Sequence, residues 1–280
     1  MRPSTSVLVA TAIISVTACP DHSNYQSHPH LAPRQTITSN PGRNATDWSY
    51  EASYNWGRIK PAYELCQTGT QQSPIAISNN QGLSNYHHPD FGGYGGGNVT
   101  GNFFNWGYGP AFTLKHTGDD WTDLPSMQFD DETVYLKGWH IHAPADHSVG
   151  GRKSKAELHM VHVTAEGHER AVVSIRIDPG SSDSEFFAQL PQPLIGFNDT
   201  TQDVGVTVDM RAALAEVNDL SEFWTYKGSL TSPPCREGIR WFVARSVLFV
   251  GVEQMRDVLR VCTYSARAEQ EVWRHEINSA

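Results

Sequence analysis

His140 and His142 lie two residues apart in the run Leu136–His147, LKGWHIHAPADH. On a strand, positions i and i+2 point to the same face, so two imidazoles at this spacing can grip one metal ion. A third ligand must come from another strand. The run Glu157–His162, ELHMVH, offers His159, with Glu157 on the same face by the same alternation. Three neutral imidazoles and one open position make a catalytic zinc site rather than a structural one. Such an ion lowers the pKa of bound water to about 7, which makes hydroxide available at neutral pH. A His-x-His pair alone is a weak signal, because most such pairs are ordinary strand residues. His162 falls on the face opposite His159 and reads as a packed or hydrogen-bonded core residue. No His-Glu-x-x-His and no Gly-x-Ser-x-Gly occurs, which disfavours metalloprotease and serine hydrolase chemistry.

The elements that would position these residues are mostly short strands. Ala171–Ile177 (AVVSIRI) is β-branched with polar residues interleaved, Glu157–Val163 alternates, and Gly238–Val250 is a long run rich in Val, Phe and Ile. Helical spacing is confined to Ser184–Leu190 and Val252–Leu259. Gly92–Gly97 (GGYGGG) lacks the following helix of a phosphate loop and reads as a flexible loop. With no internal repeat and no linker of domain size, one mainly β domain is the simplest architecture.

The 280 residues are 39% hydrophobic, enough for a core, and carry a net charge of −9, which disfavours nucleic acid as a partner. The densest basic cluster, Arg152, Lys153 and Lys155, reads as a solvated loop. No apolar run reaches the roughly 18 residues of a membrane span. Arg2 followed by the apolar run to Ala18 predicts a signal peptide over 1–18, then a flexible lead-in over 19–45 and one domain over 46–280. Cleavage before Cys19 with lipid attachment is the lesser alternative. Sequons at Asn44, Asn98 and Asn198 agree with a secreted glycoprotein. In an oxidising compartment two of Cys66, Cys235 and Cys262 should pair, and spacing does not say which.

A third segment gives the two histidine runs a context. Tyr226–Glu237 reads YKGSLTSPPCRE. With GWHIHAPADH and AELHMVH, in that order, it resembles the alpha-class carbonic anhydrases. The resemblance begins at Trp48-Ser49-Tyr50, continues through Cys66–Ile75 (CQTGTQQSPI) and Arg240-Trp241-Phe242-Val243, and ends at Ser265–Gln270 (SARAEQ), about 230 of the 280 residues. The C-terminal stretch looks most like secreted fungal members. The resemblance implies a central, twisted, mostly antiparallel sheet of about ten strands with short peripheral helices. It implies Zn2+ on His140, His142 and His159, with Glu157 holding the His159 imidazole. The implied reaction is reversible hydration of carbon dioxide to bicarbonate and a proton through zinc-bound hydroxide. Thr231 would be the hydroxyl that orients it. Val161, Val172, Leu230, Ser232, Ile239 and Trp241 would line the substrate pocket, and Cys66 and Cys235 would form the disulfide, leaving Cys262 unpaired.

Three positions depart from the family pattern. Pro110 stands where a proton-shuttling histidine is usual, so proton transfer would fall to water, buffer or another residue such as His116. Gly138 replaces a glutamine that would hold the first zinc ligand. Asp146 replaces the glutamate that orients the threonine and is one methylene shorter. The rival readings are a non-catalytic binding protein on the same fold and a zinc-dependent esterase; zinc content and a comparison of the two reactions separate them.

Overall fold

A computed structural model of the chain describes residues 47–199 and 201–280. The signal peptide and lead-in, Cys19 and the sequon at Asn44 therefore lie outside the described residues.

The strands are β1 (Ala76–Ile77), β2 (Asn98–Asn105), β3 (Pro110–Leu114), β4 (Ser126–Phe129), β5 (Glu132–His142), β6 (Ser148–Val149), β7 (Arg152–Lys153), β8 (Ala156–Val163), β9 (Glu169–Pro179), β10 (Asp203–Asp209), β11 (Phe223–Ser229), β12 (Glu237–Ala244) and β13 (Leu248–Val250). The helices are α1 (Leu65–Thr68), α2 (Glu185–Ala188), α3 (Met210–Ala215) and α4 (Val252–Val261), with short 3-10 turns between. Ten strands form one sheet along the path β10-β2-β3-β5-β8-β9-β12-β11, with β4 on β5 and β13 on β9. Its pairings are antiparallel except β12 and β13, which run parallel to β9. The expected fold is what forms. The segments β1, β6 and β7 make a separate small sheet.

Period-two alternation sorts the central strands. Trp139 and Ile141 of β5 and Leu158 and Met160 of β8 point into the main core. The three helices α2, α3 and α4 close that core with Phe186, Met210, Leu214 and Val258. Burying each such side chain is worth about 1.5–3 kcal/mol, so this face fixes the register, and register then fixes what stands on the other face. There His140, His142, Glu157, His159 and Val161 are carried between two smaller apolar clusters. Among the described residues no helix is long and apolar enough to cross a membrane.

Both expected helices form. Ser184 caps α2, its hydroxyl accepting from Phe187 N at 3.1 Å. The run Gly238–Val250 is two strands, β12 and β13, because the chain turns between Ala244 and Leu248 while staying beside β9. The glycine-dense segment is not simply a loop. It contains a 3-10 turn at Gly92–Tyr94 whose Tyr94 ring is buried, with the hydroxyl 2.7 Å from His162 Nε2. His162 thus has the core role its strand face implied, and burial pushes its pKa down to about 3.

Candidate metal centre

Antiparallel pairing of β5 and β8 sets His140 opposite His159 and His142 opposite Glu157. The three imidazoles therefore meet on one face, each at most 2% exposed, with their facing nitrogen atoms within 4.8 Å of one another. His140 Nε2 and His142 Nε2 are 3.1 Å apart. Tetrahedral zinc with bonds of about 2.0–2.1 Å separates its ligand nitrogens by about 3.3 Å, so the three donors fit that ion.

Two of the rings are turned by their other nitrogen. His142 Nδ1 is 2.6 Å from the carbonyl of Ser265, which leaves Nε2 facing inward. His159 Nε2 is 2.7 Å from Glu157 Oε1, which leaves Nδ1 facing inward. Burial lowers the basicity of His142, against the pull of Asp146, and keeps the ring in the neutral form a metal requires. Gly138, on the same face, has no side chain with which to hold His140.

Glu157 is the hub beneath the triad. Its Oε1 receives His147 Nδ1 at 2.6 Å and the Ser174 hydroxyl at 2.6 Å besides His159, and its Oε2 receives the His147 amide at 2.9 Å. Burial alone would push this carboxyl up, but the His147 and His159 contacts outweigh it and hold the group well below the ordinary carboxylate range. The chain continues outward through His147 Nε2 to the Tyr226 hydroxyl at 2.7 Å and on to Ser73 Oγ at 3.0 Å. His147, Glu157 and His159 also lie close enough to hold a metal. Their short mutual hydrogen bonds instead make them the support of the first triad. Sequence reasoning did not assign His147, Ser265 or Ser174 a role here. The only signal was the adjacency of His147 to Asp146.

Val161, Val172, Leu230, Ile239 and Trp241 gather in one apolar cluster, with Trp241 4.9 Å from His159 between ring centroids. Ser232 and Thr231 are buried in the turn that follows Leu230. On the other side stand aromatic rings that sequence reasoning missed. Trp106 lies 5.4 Å from His140 and 5.3 Å from His142, and Tyr50 lies 5.7 Å from His142. The disulfide joins Cys66 and Cys235, and Cys262 is free. Asn98 and Asn198 are exposed.

Asp146 Oδ1 accepts the Arg267 amide at 2.8 Å, and its Oδ2 is buried 3.7 Å from His142 Nε2, with no hydrogen-bond partner among the described residues. His116 is no substitute shuttle, since it stacks on Trp121 at 4.2 Å and meets Asp123 at 3.2 Å. It is five residues beyond Ala111, which pairs with His140, and at about 3.3 Å per residue that is on the order of 15 Å away. Pro110 is buried at the start of β3, as a side chain without a titratable group.

Comparison with known proteins agrees with this geometry. The family model for eukaryotic-type carbonic anhydrase matches residues 51–278. A carbonic anhydrase of Pectobacterium carotovorum is 30% identical over 220 residues, covering 75% of this chain and 82% of that protein. The alpha-carbonic anhydrase of Photobacterium profundum superposes with a TM-score of 0.65 at 26% identity, covering 82% of this chain and 99% of that one. The fungal alpha carbonic anhydrase of Aspergillus oryzae gives a TM-score of 0.65 at 25% identity, over 78% and 89% of the two chains. The chain belongs to the eukaryotic-type, or alpha, carbonic anhydrase family.

Proposed function

We propose that the protein catalyses the reversible hydration of carbon dioxide to bicarbonate and a proton, with Zn2+ held by His140, His142 and His159. The observation that carries this reading is the convergence of three buried imidazole nitrogens beside the apolar cluster of Val161, Val172, Leu230, Ile239 and Trp241. A zinc ion there supplies a Lewis acid that makes hydroxide available near neutral pH. The chain's own residues do the rest. The Ser265 carbonyl and the Glu157 carboxylate fix two of the rings so that the donor atoms are set before the ion arrives. The apolar wall suits a small uncharged substrate. The Thr231 hydroxyl, in the turn beside that wall, orients the attacking oxygen. Asp146, buried beside His142, supports it.

The apolar N-terminal run, the Cys66–Cys235 disulfide and the sequons support a secreted glycoprotein whose enzyme domain spans 46–280. The deciding experiment is stopped-flow hydration of carbon dioxide by zinc-loaded protein and by His142→Ala. A large loss in the variant is expected; equal rates would overturn the assignment.

A further inference from the structure

Beyond the apolar wall the same sheet face turns charged. Gly138, Val161 and Val172 form one rung across β5, β8 and β9, and the next rung carries Val163 and Glu169. Both strand pairs bulge at this level. Lys137 is the extra residue between Leu136 and Gly138, and Arg170 is extra between Glu169 and Ala171. A bulge re-aims the side chains around it. Here it brings Lys137 Nζ, 1% exposed, to 3.1 Å from Glu169 Oε1. The other oxygen, Oε2, accepts from Arg236 Nη2, which also reaches the Glu169 carbonyl at 3.2 Å.

Arg236 ends the turn that begins at Leu230. Its carbonyl accepts the Leu230 amide at 3.0 Å, and within the turn Cys235 N donates to Ser232 O at 2.8 Å. The end of this turn is fixed at two successive residues: Cys235, by its bond to Cys66 and by Gln72 Nε2 on its carbonyl at 3.0 Å, and Arg236, through Glu169. Thr231 directly follows Leu230, whose amide closes the turn onto Arg236.

We propose that Glu169 is a positioning residue for Thr231, acting through Arg236, with Lys137 holding the carboxylate from behind. This rests on the reading of Thr231 given above. Burial opposes the charge on Glu169, but Lys137 and Arg236 outweigh it and set its pKa at about 2, so the grip is present throughout the neutral range. Arg236 is 41% exposed, and an ion pair this open adds little to stability. Its removal therefore tests placement rather than folding, and misplacement of a reacting group by a fraction of an ångström to 1 Å is costly to rate.

The test uses zinc-loaded protein, with Arg236→Met, Arg236→Lys and the double variant Lys137→Met/Glu169→Gln, which leaves no buried unpaired ammonium. Arg236→Met and the double variant are expected to keep their zinc and melting temperature within a few degrees. They should lose about tenfold in kcat/KM for carbon dioxide, while kcat in low buffer falls much less. Amide hydrogen exchange should speed up at Leu230 and Cys235 and stay unchanged in β8, and Arg236→Lys should recover most of both losses. Unchanged kcat/KM with unchanged exchange in the turn overturns the proposal. An inactive zinc-loaded parent protein would instead sink the functional reading, and the exchange comparison would then decide the brace by itself.

Discussion

Glu157 Oε1 stands 2.7 Å from His159 Nε2, two residues along the same strand, and the same oxygen stands 2.6 Å from His147 Nδ1. One carboxylate oxygen thereby fixes the orientation of a metal-facing ring and of the ring behind it. Removing its charge should loosen both. Glu157→Gln is expected to weaken zinc binding about 10- to 100-fold, read by competition with a chromophoric chelator. Unchanged affinity would show that the ring needs no carboxylate.

Pro110 is buried at the start of β3, next to Ala111, which pairs with His140, and His116 is committed to Trp121 and Asp123. Turnover should therefore be limited by proton transfer and should rise as imidazole buffer is titrated in. Pro110→His should raise kcat in dilute buffer with little effect on kcat/KM. A parent turnover that is high and independent of buffer contradicts this.

Asp146 Oδ2 is buried with no hydrogen-bond partner among the described residues. Asp146→Glu supplies the missing methylene and is expected to match or exceed the parent kcat/KM. Asp146→Ala should lose roughly tenfold or more, as is common for groups that support a metal site from one shell out. Equal rates in the alanine variant would remove Asp146 from the orienting role.

His162 is neutral and buried against Tyr94, with a pKa of about 3 in place of 6.5. A folded-state pKa below the unfolded one means that the unfolded chain binds the proton first. The associated stability is whole above about pH 6.5, erodes as pH falls toward 3 and is flat below that, a span of a few kcal/mol. His162→Gln should flatten the fall in denaturant midpoint between pH 6.5 and 3. A parallel fall in both proteins would contradict it.

The Cys66–Cys235 bond closes a separation of 169 residues and anchors the turn that holds Thr231. Replacing both cysteines by serine should cost about 2–5 kcal/mol in unfolding free energy. It should also lower kcat/KM by more than it lowers zinc content. Loss of stability with full activity would separate the bond from the site.

The sequence by itself put His140 and His142 on one strand face, and Glu157 and His159 on another, because i and i+2 placement on a strand is local geometry; the choice of His159 as third ligand came from the ordered motifs. Ordered motifs did the same for the sheet, for Trp241 and the apolar wall, and for the cysteine pairing. Only the tertiary structure decided which groups serve those residues from afar. Ser265 reaches His142 across 123 positions, and Arg236 reaches Glu169 across 67. Lys137 meets Glu169 only because two bulges shift the register. Trp106 closes on the histidines because β2 and β3 bring its loop there. Alternation along one strand is fixed by the backbone, whereas contacts between distant segments depend on how every strand between them is paired and twisted.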